Sequence, residues 1–547
     1  MRDLRRGWER NHLGLLVDVL ALRETIKQTL GRDIQQRLRN GDEVYIAVLA
    51  PGGYEYTVAV LAILALGATV VPLSVVIPME EAAYFVRKSK SVAVLSCTSA
   101  LDLSRSLEGH ISTSTDPTFK CIPIESDLFS PESSPHDILI SSDKYLDENG
   151  PGLVIFTSGT SGPPKGSVMR RAFTYDFALA VADHYELCED DVTLHVLPVH
   201  HATGIGIMFF PFLISGSCIE FRSGSFDEIW LWERWREGAL DPTRRITFFS
   251  GVPTIFMRMR RHYQQVLSKL SPTKISEYIA GARQFRAVIC GTSALPRPIC
   301  EFWTELLQRR IMQRYGATEF GAVFKVHLDD TEVPDGSVGE LAAGVDMKLT
   351  EGDEGELLVK SPHMFSKYLG DPEATANAHD ENGFFKSGDI VRRKGKYYFI
   401  TGRASMDIIK SGGYKISALD VEREILALPY VLEVMVVGVS DEEFGQRVAA
   451  AILLQEQELT EDFLRTHSDG RHILTLDALR HDLRNRLAGY KLPTLLRVVE
   501  GEFPRTPSGK VLKKILGSQY FPENLGCHPE IQVWRSSPVR VEYQAKL

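Results

Sequence analysis

Short apolar runs recur along this 547-residue chain, and segments with helical patterns separate several of them. Examples are EVYIAVLA at 43–50, LVIFTSG at 153–159 and FRAVICG at 285–291. Apolar strands that alternate with helices are typical of parallel sheets that helices cover. Because one hydrophobic core does not serve a chain of this length, the pattern predicts an α/β protein with at least two domains.

The amino-acid pattern changes late in the chain, where a second domain is predicted. The segment GKYYFITGRASMDIIKSGGYKIS at 395–417 combines short β-forming runs with a Gly-Gly turn, and SALD at 417–420 is typical of a helix N-terminus. We therefore predict a large N-terminal domain of helix-covered sheets over 1–402 and a small α+β domain over 403–517. Residues 518–547 are predicted to form an irregular tail.

The composition and charge pattern argue against several other classes of protein. The seven cysteines include no Cys-x-x-Cys pair, which argues against a disulfide framework or a structural zinc site. The formal net charge is −9 without a basic stripe, so nucleic-acid binding is not expected. The uncharged stretch 56–79 has the length of a membrane span, but Gly67 and Pro72 interrupt it. We predict a buried helix and a buried strand there instead.

The segment FTSGTSGPPKG at 156–166 contains the apolar end of a predicted strand, then glycines, hydroxyl side chains and one lysine. Such a loop can point backbone N–H groups into one concavity, where phosphate is the usual ligand. Lys165 would add a positive charge. The segment is not the P-loop of NTPases, because Gly166 follows Lys165 where that motif has Ser or Thr. The alternative interpretation is a surface turn without a ligand.

Seven other segments follow the motif order of one known superfamily. They are ALGATVVPLSVVIPMEEAAYFV, LPVHHATG, YGATEFG, EGELLVKSPHMFSKYLGDPEAT, GFFKSGDIV, GRASMDIIKSGGYKIS and PRTPSGKVLKK. With the loop, and over residues 40–517, they resemble the adenylate-forming superfamily, which includes acyl-CoA synthetases, luciferases and adenylation domains of peptide synthetases. The resemblance implies an acid–thiol ligase that joins a carboxylic acid to the α-phosphate of ATP and then passes the acyl group to coenzyme A.

The resemblance also implies how ATP is held. The loop 157–166 would surround the β- and γ-phosphates, Thr318 would contact the α-phosphate and Glu319 would hold Mg²⁺. Asp389 would accept hydrogen bonds from the ribose hydroxyls, with Arg403 near the ribose and phosphate. The implied phosphate-loop and adenine-pocket residues are Thr157, Ser158, Gly159, Thr160, Lys165, Thr292, Ser293, Ala294, Tyr315 and Gly316.

In the implied mechanism the small domain rotates on a hinge and acts in both steps. One orientation would bring Lys510 to the charge that develops on the α-phosphate. The other would bring Lys410, Gly412 and Gly413 to the tunnel through which the thiol of coenzyme A arrives. The hinge position, which usually carries Asp or Lys, is Ser405 here.

Within the superfamily the chain most resembles the malonyl-CoA synthetases, in which two arginines receive the distal carboxylate of malonate. They match Arg258 in GVPTIFMR and Arg314 in QRYG, and His201 matches the histidine beside the acyl pocket. The expected substrate is therefore malonate or a related small dicarboxylate. Ala317 replaces the usual Met, which would enlarge the pocket and suit a longer aliphatic or polyketide-derived acid of secondary metabolism. A non-catalytic nucleotide sensor with the same fold is a third hypothesis.

The final residues Ala545, Lys546 and Leu547 resemble the Ser-Lys-Leu address of peroxisomal proteins. This resemblance implies recognition by the peroxisomal import receptor, with a cytosolic location as the alternative. The other expected partners are small molecules: a carboxylic acid, ATP and coenzyme A.

Overall fold

Buried strands organise the computed structural model of this protein, which describes residues 1–124, 128, 138, 146–157, 163–291, 295–505 and 511–534. In these residues the strands are β1 (Arg2–Asp3), β2 (Trp8–Glu9), β3 (Tyr45–Leu49), β4 (Thr69–Leu73), β5 (Ala93–Ser96), β6 (Lys120–Pro123), β7 (Pro151–Thr157), β8 (Lys165–Arg170), β9 (Val192–His195), β10 (Cys218–Phe221), β11 (Phe248–Gly251), β12 (Ala287–Cys290), β13 (Met312–Ala317), β14 (Gly321–Lys325), β15 (Glu340–Leu341), β16 (Asp346–Glu351), β17 (Glu354–Lys360), β18 (Lys367–Tyr368), β19 (Phe385–Lys394), β20 (Tyr397–Arg403), β21 (Ile408–Ser411), β22 (Tyr414–Ser417), β23 (Val431–Asp441), β24 (Gly445–Leu454), β25 (Leu495–Val498) and β26 (Ile531–Val533). The α-helices are α1 (His12–Thr29), α2 (Arg32–Asn40), α3 (Tyr54–Ala65), α4 (Met79–Ser89), α5 (Leu101–Ser114), α6 (Asp176–His184), α7 (Phe210–Ile214), α8 (Glu228–Leu240), α9 (Pro253–Gln265), α10 (Pro272–Arg283), α11 (Arg297–Leu307), α12 (Pro372–Asn377), α13 (Ala418–Leu426), α14 (Glu461–His467), α15 (Leu476–Leu483) and α16 (Lys513–Tyr520).

Two large sheets with parallel centres form most of the N-terminal domain. The first has the order β15-β14-β13-β12-β11-β9-β10-β1-β2 and the second the order β18-β8-β7-β4-β3-β5-β6. Parallel pairing runs from β13 to β1 in the first sheet and from β7 to β6 in the second. A smaller sheet of order β16-β17-β19-β20 follows. The predicted α/β class is confirmed, because the apolar runs of the sequence are the buried central strands.

The uncharged stretch 56–79 is the buried helix and strand that the sequence predicts. It contains most of α3 and all of β4, and all five residues of Thr69–Leu73 are buried. None of the helices in the described ranges has the length and apolar content of a membrane span.

The small C-terminal domain is built on a fourth sheet, of order β22-β21-β24-β25-β26, with β23 paired to β24. Alternate residues of β23 face two different apolar cores. Val436 packs in the core that includes residues of α13, α14 and α15. Met435 and Val437 pack in the core that includes Leu516 of α16. The predicted combination of a large α/β domain and a small α+β domain is confirmed.

The prediction of an irregular tail over 518–547 is wrong for its first part. Strand β26 pairs antiparallel with β25, and the side chain of Ile531 is buried with Phe521 in the apolar core of the small domain. A three-residue strand is too short to show the alternation of apolar and polar residues by which strands are predicted. The described part of the chain ends at residue 534.

Candidate active site

The predicted phosphate loop lies between β7 and β8. These strands pair antiparallel with Thr157 opposite Lys165, and the Thr157 hydroxyl donates a hydrogen bond of 3.4 Å to the Lys165 carbonyl. The Lys165 ammonium lies 5.1 Å from the centre of the Tyr368 ring. The strand pair therefore fixes both ends of the loop. Three predicted loop residues lie outside the described residues: Ser158, Gly159 and Thr160.

Glu319 lies in the turn that joins β13 to β14, next to Thr318. Its Oε1 accepts hydrogen bonds from the Tyr368 hydroxyl at 3.0 Å and from the Ser167 hydroxyl at 3.4 Å. Ser167 belongs to β8 and Tyr368 to β18, so these bonds join the two large sheets. Burial and the Glu319 carboxylate raise the pKa of Tyr368, which keeps its hydroxyl a donor. The fold thus brings Thr318 and Glu319 beside β8, at one end of the predicted phosphate loop.

Asp389, the predicted ribose ligand, is held by two side chains. It lies on β19 in register with Arg403 on β20. The Arg403 Nε donates to Asp389 Oδ1 at 3.0 Å, and the Tyr315 hydroxyl donates to Oδ2 at 2.5 Å. Burial and the Asp389 carboxylate raise the pKa of Tyr315 well above its ordinary value. Each carboxylate oxygen keeps a second lone pair that can accept a ribose hydroxyl.

Arg403 lies near both this cluster and the predicted phosphate site. Its charge acts on the pKa of both Tyr315 and Tyr368. Sequence reasoning missed Tyr368, although it lies within the motif segment that ends in YLGDPEAT.

Gly316 follows Tyr315 at a register shift between β13 and β14, and a side chain at Gly316 would clash with the carbonyl of Gly321. The glycine therefore permits the tight strand pair that positions Tyr315.

The segment around His201 is anchored by a histidine that sequence reasoning missed. His195, at the end of β9, donates from Nε2 to the Gly204 carbonyl at 2.9 Å, and burial lowers the pKa of His195 to about 4. The His201 Nδ1 accepts a hydrogen bond from the backbone N–H of Thr203 at 3.5 Å. A side chain at Gly204 would clash with the Pro198 carbonyl oxygen. The backbone path of this segment therefore fixes the position of His201.

The two arginines predicted to receive a carboxylate differ in their partners. Arg314 lies on β13, and its Nε and Nη2 are buried without a hydrogen-bond partner in the described residues. Burial lowers the pKa of Arg314. Arg258 lies on α9, where its Nη2 donates to Glu228 at 2.6 Å and its guanidinium lies 4.9 Å from the centre of the Phe226 ring. Arg258 thus has a carboxylate partner within the protein, whereas none of the described residues supplies a counter-charge to Arg314.

The residues predicted to border the thiol tunnel lie on a hairpin of the small domain. Gly412 and Gly413 form its two-residue turn with φ of +55° and +85°, values that glycine adopts readily. The backbone N–H of Lys410 donates to Gln446 Oε1 at 2.7 Å. Within the described ranges, no hydrogen bond or ion pair joins Lys410, Gly412 or Gly413 to Glu319 or Asp389.

Lys510 lies outside the described residues, but the segment after it is anchored at the predicted hinge. The ammonium of Lys513 lies 2.8 Å from Asp407 and 2.7 Å from Glu422. Burial disfavours this charge, but the two carboxylates outweigh burial and raise the pKa of Lys513. Asp407 belongs to the same turn as Ser405, which is exposed. Three predicted adenine-pocket residues also lie outside the described residues: Thr292, Ser293 and Ala294.

Two family models match this chain. Residues 33–369 match the family described as AMP-binding enzyme, and residues 420–510 match the AMP-binding enzyme C-terminal domain. A CoA ligase of Gibberella moniliformis is 33% identical over 536 residues, which cover 87% of this chain and 86% of that protein. A malonate–CoA ligase of Arabidopsis thaliana is 32% identical over 491 residues, which cover 86% of this chain and 77% of that protein.

The fold is also that of a solved structure. ATP-bound MatB from Rhodopseudomonas palustris superposes with a TM-score of 0.76 at 22% identity, over 93% of each chain. Similarity at this level of identity supports the fold, while the family match and the two relatives support the class of enzyme. The chain therefore belongs to the AMP-binding enzyme family and is an AMP-forming acid–CoA ligase.

Proposed function

We propose that this ligase activates malonate, or a related small dicarboxylate, as an acyl adenylate and transfers the acyl group to coenzyme A. The supporting observation is the buried Arg314 guanidinium, two of whose nitrogens have no hydrogen-bond partner in the described residues. A buried cation is costly unless an anion compensates it, and a carboxylate can accept two parallel hydrogen bonds from a guanidinium. A longer aliphatic acid would leave this charge uncompensated, so that alternative is not favoured. Malonate is also the acid named for the Arabidopsis relative.

Arg258 is the second proposed contact of the distal carboxylate. Its side chain is 38% exposed and already bonded to Glu228. Water screens a charge that is exposed to this extent, so Arg314 is expected to contribute more to substrate selection. His201 is proposed to border the acyl group on the other side of the pocket.

The first chemical step needs charge stabilisation around phosphorus more than it needs a base. An oxygen of the acid bonds to the α-phosphorus of ATP while the bond to the bridging oxygen breaks, and pyrophosphate leaves with that electron pair. We assign the loop 157–166 to the triphosphate and Thr318 to the α-phosphate. Asp389 accepts the ribose hydroxyls, and Lys510 stabilises the charge that develops on the α-phosphate. The proposed adenine pocket consists of Thr292, Ser293, Ala294, Tyr315 and Gly316.

Glu319 is the residue we propose for Mg²⁺. Both hydrogen bonds that the Glu319 carboxylate accepts from described residues fall on Oε1, so among these residues none occupies Oε2, which can bind a cation. The described residues contain no group of three or more His, Cys, Asp or Glu side chains that could hold a metal ion. This arrangement suits Mg²⁺, which takes one or two carboxylates together with phosphate oxygens and water. When bound, Mg²⁺ would neutralise part of the phosphate charge.

The second step is assigned to the small domain, whose proposed limits are residues 403–517. Rotation on a hinge near Ser405 would move Lys510 away from the active site. The same rotation would bring in the hairpin that carries Lys410, Gly412 and Gly413. The thiol sulfur of coenzyme A would then attack the acyl carbonyl, and AMP would leave with the electron pair of the broken acyl–phosphate bond. Gly412 and Gly413 have no Cβ atom, so the thiol could approach the backbone closely at this turn.

A peroxisomal location is a further proposal, which depends on the import receptor reading residues 545–547. These residues lie outside the described part of the chain. A fluorescent protein fused to residues 536–547 should enter peroxisomes, and the same fusion with Leu547→Ser should stay in the cytosol. A cytosolic distribution of both fusions would contradict the proposal.

Pyrophosphate release tests the proposed substrate. With ATP, Mg²⁺ and coenzyme A, malonate should give a higher kcat/KM than octanoate. Arg314→Met should lower kcat/KM for malonate by roughly 30-fold or more, because a bound carboxylate loses its buried cation. The control is Arg39→Met at an exposed arginine of α2, which should change nothing. A preference for octanoate over malonate by the unaltered enzyme would refute the assignment.

A further inference from the structure

A second cation lies directly across the strand pair from Arg314. In the antiparallel register of β13 and β14, the partner of Arg314 is Lys325. Directly opposite residues of such a pair project from the same face, with Cβ atoms roughly 4.5–5.5 Å apart. Like charges in this relation destabilise the strand pair. The two side chains therefore form a cationic pair that works against the stability of the fold.

Several titratable groups surround Lys325, and none of those in the described ranges forms an ion pair or hydrogen bond with its ammonium. Burial lowers the pKa of Lys325 to about 8, with Arg314 acting in the same direction and Asp183 of α6 acting against it. His184 of α6 and His363 are near enough that Lys325 helps burial to lower the pKa of each. Both histidines are therefore neutral at pH 7, and Asp183 is the only one of these four neighbours with a negative charge.

The second register neighbour of Lys325 is acidic but is bonded elsewhere. Glu340 lies opposite Lys325 on β15, and its Oε1 lies 2.8 Å from the ammonium of Lys396. The carboxylate of Glu340 is therefore paired with Lys396, although its strand position is opposite Lys325. What remains on this face is a pair of adjacent cations, Arg314 and Lys325, without a counter-charge within ion-pair distance in the described residues.

We propose that Lys325 is a specificity residue of the acyl pocket, which binds the distal carboxylate of the substrate together with Arg314. Each carboxylate oxygen has two lone pairs, so the Lys325 ammonium can bind an oxygen that also accepts a hydrogen bond from Arg314. This inference rests on the proposed function, since the substrate supplies the missing counter-charge. It adds a residue that the motif comparison did not single out, because Lys325 lies outside the YGATEFG segment.

The position of Lys325 makes it a better partner for Arg314 than a residue on a separate element. Both cations stand on neighbouring strands of one sheet, so their separation is fixed by backbone hydrogen bonds. Arg258 stands on α9 and must release Glu228 before it can bind another carboxylate. A site with two fixed cations also discriminates against acids that have only one carboxylate. Such an acid would leave both cations uncompensated.

The test compares malonate with propionate, which has the same number of carbons but one carboxylate. We would measure kcat/KM for pyrophosphate release by the full-length enzyme, Lys325→Met and Lys325→Arg between pH 6.5 and 9.5. Lys325→Met should lower kcat/KM for malonate about 10- to 100-fold, and leave that for propionate within about threefold or raise it. Lys325→Arg should retain malonate activity. Lys274→Met, at an exposed lysine of α10, is the matched control and should behave as the unaltered enzyme.

The pH profile adds a readout that a purely structural role would not move. With malonate, kcat/KM of the unaltered enzyme should fall as pH rises above about 8, because Lys325 loses its proton there. Lys325→Arg should lack this fall, since arginine stays protonated. An equal loss of activity toward malonate and propionate in Lys325→Met would overturn the inference, as would unchanged activity toward malonate. If the unaltered enzyme uses no small dicarboxylate, the proposed function itself fails.

Discussion

Charged side chains have different partners near the two ends of the nine-stranded sheet. On β10, Glu220 accepts hydrogen bonds from Arg234 Nη2 at 2.7 Å and from Arg2 Nη1 at 3.0 Å, and the side chains of Glu220 and Arg234 are 0% and 2% exposed. On β13 and β14, Arg314 and Lys325 face each other without a carboxylate within ion-pair distance in the described residues. The first arrangement serves the fold, because each charge finds its partner inside the chain. The second is costly to the fold, which is typical of a site that binds a ligand.

The sharpest test of this comparison measures stability at both ends of the sheet. Glu220→Ala should lower the free energy of unfolding by about 3–5 kcal/mol, because it leaves Arg234 buried without its partner. Arg314→Met should leave the free energy of unfolding unchanged or raise it, because it removes a cation from beside Lys325. Urea unfolding followed by tryptophan fluorescence measures both, since Trp232 and Trp235 lie on α8 with Arg234.

The control for this measurement is Arg39→Met, at an exposed arginine of α2. Its free energy of unfolding should stay within about 0.5 kcal/mol of the unaltered protein. If Arg314→Met proved as destabilising as Glu220→Ala, Arg314 would be a structural residue like Arg234, and the comparison would fail.

The sequence predicts the buried elements well, for physical reasons. The stretch 56–79 is apolar with a glycine interruption, and these local properties alone indicate a helix followed by a strand. The positions of Asp389, Arg403 and Glu319 follow from motif resemblance, and the fold brings Asp389 and Arg403 into contact. Their chemical roles, like those of Lys510 and Ser158, stay predictions.

What the sequence does not predict depends on pairing between distant residues. The Tyr315–Asp389 hydrogen bond joins residues 74 positions apart, and no local pattern reports such a contact. The Arg314–Lys325 pair depends on the register of β13 and β14, which includes a shift after Tyr315. A shift of one residue would move Lys325 to the other face of the sheet. The cationic pair is therefore a property of the strand register and not of either residue alone.

Two lysines in one segment of the small domain, Lys510 and Lys513, differ in the same way. Lys513 is paired with Asp407 and Glu422 inside the fold, whereas the proposed partner of Lys510 is the substrate phosphate. Lys510→Ala should slow adenylation by ~10²-fold or more, and should largely spare thioester formation from supplied malonyl adenylate. Its urea midpoint should match that of the unaltered protein. Lys513→Met should instead lower the urea midpoint, because two half-buried carboxylates lose their cation.

Separate assays of pyrophosphate release and of coenzyme A acylation distinguish these outcomes. An equal loss in both steps for Lys510→Ala would contradict its assignment to the first step. Lys274→Ala is the control, at an exposed lysine of α10. It should leave the adenylation rate and the urea midpoint close to those of the unaltered protein.

A buried histidine that is neutral in the folded protein should make the stability of the protein depend on pH. Burial lowers the pKa of His195 to about 4 from an ordinary 6.5, so between these values the unfolded chain holds a proton that the folded chain lacks. Stability should therefore fall as pH drops from 6.5 toward 4, and at pH 5 His195 alone should account for about 2 kcal/mol. His195→Gln keeps a donor for the Gly204 carbonyl but does not titrate. Between pH 6.5 and 5, the free energy of unfolding of this variant should depend less steeply on pH than that of the unaltered protein. The difference in slope should correspond to nearly one bound proton. An unchanged slope would mean that the fold does not lower the pKa of His195.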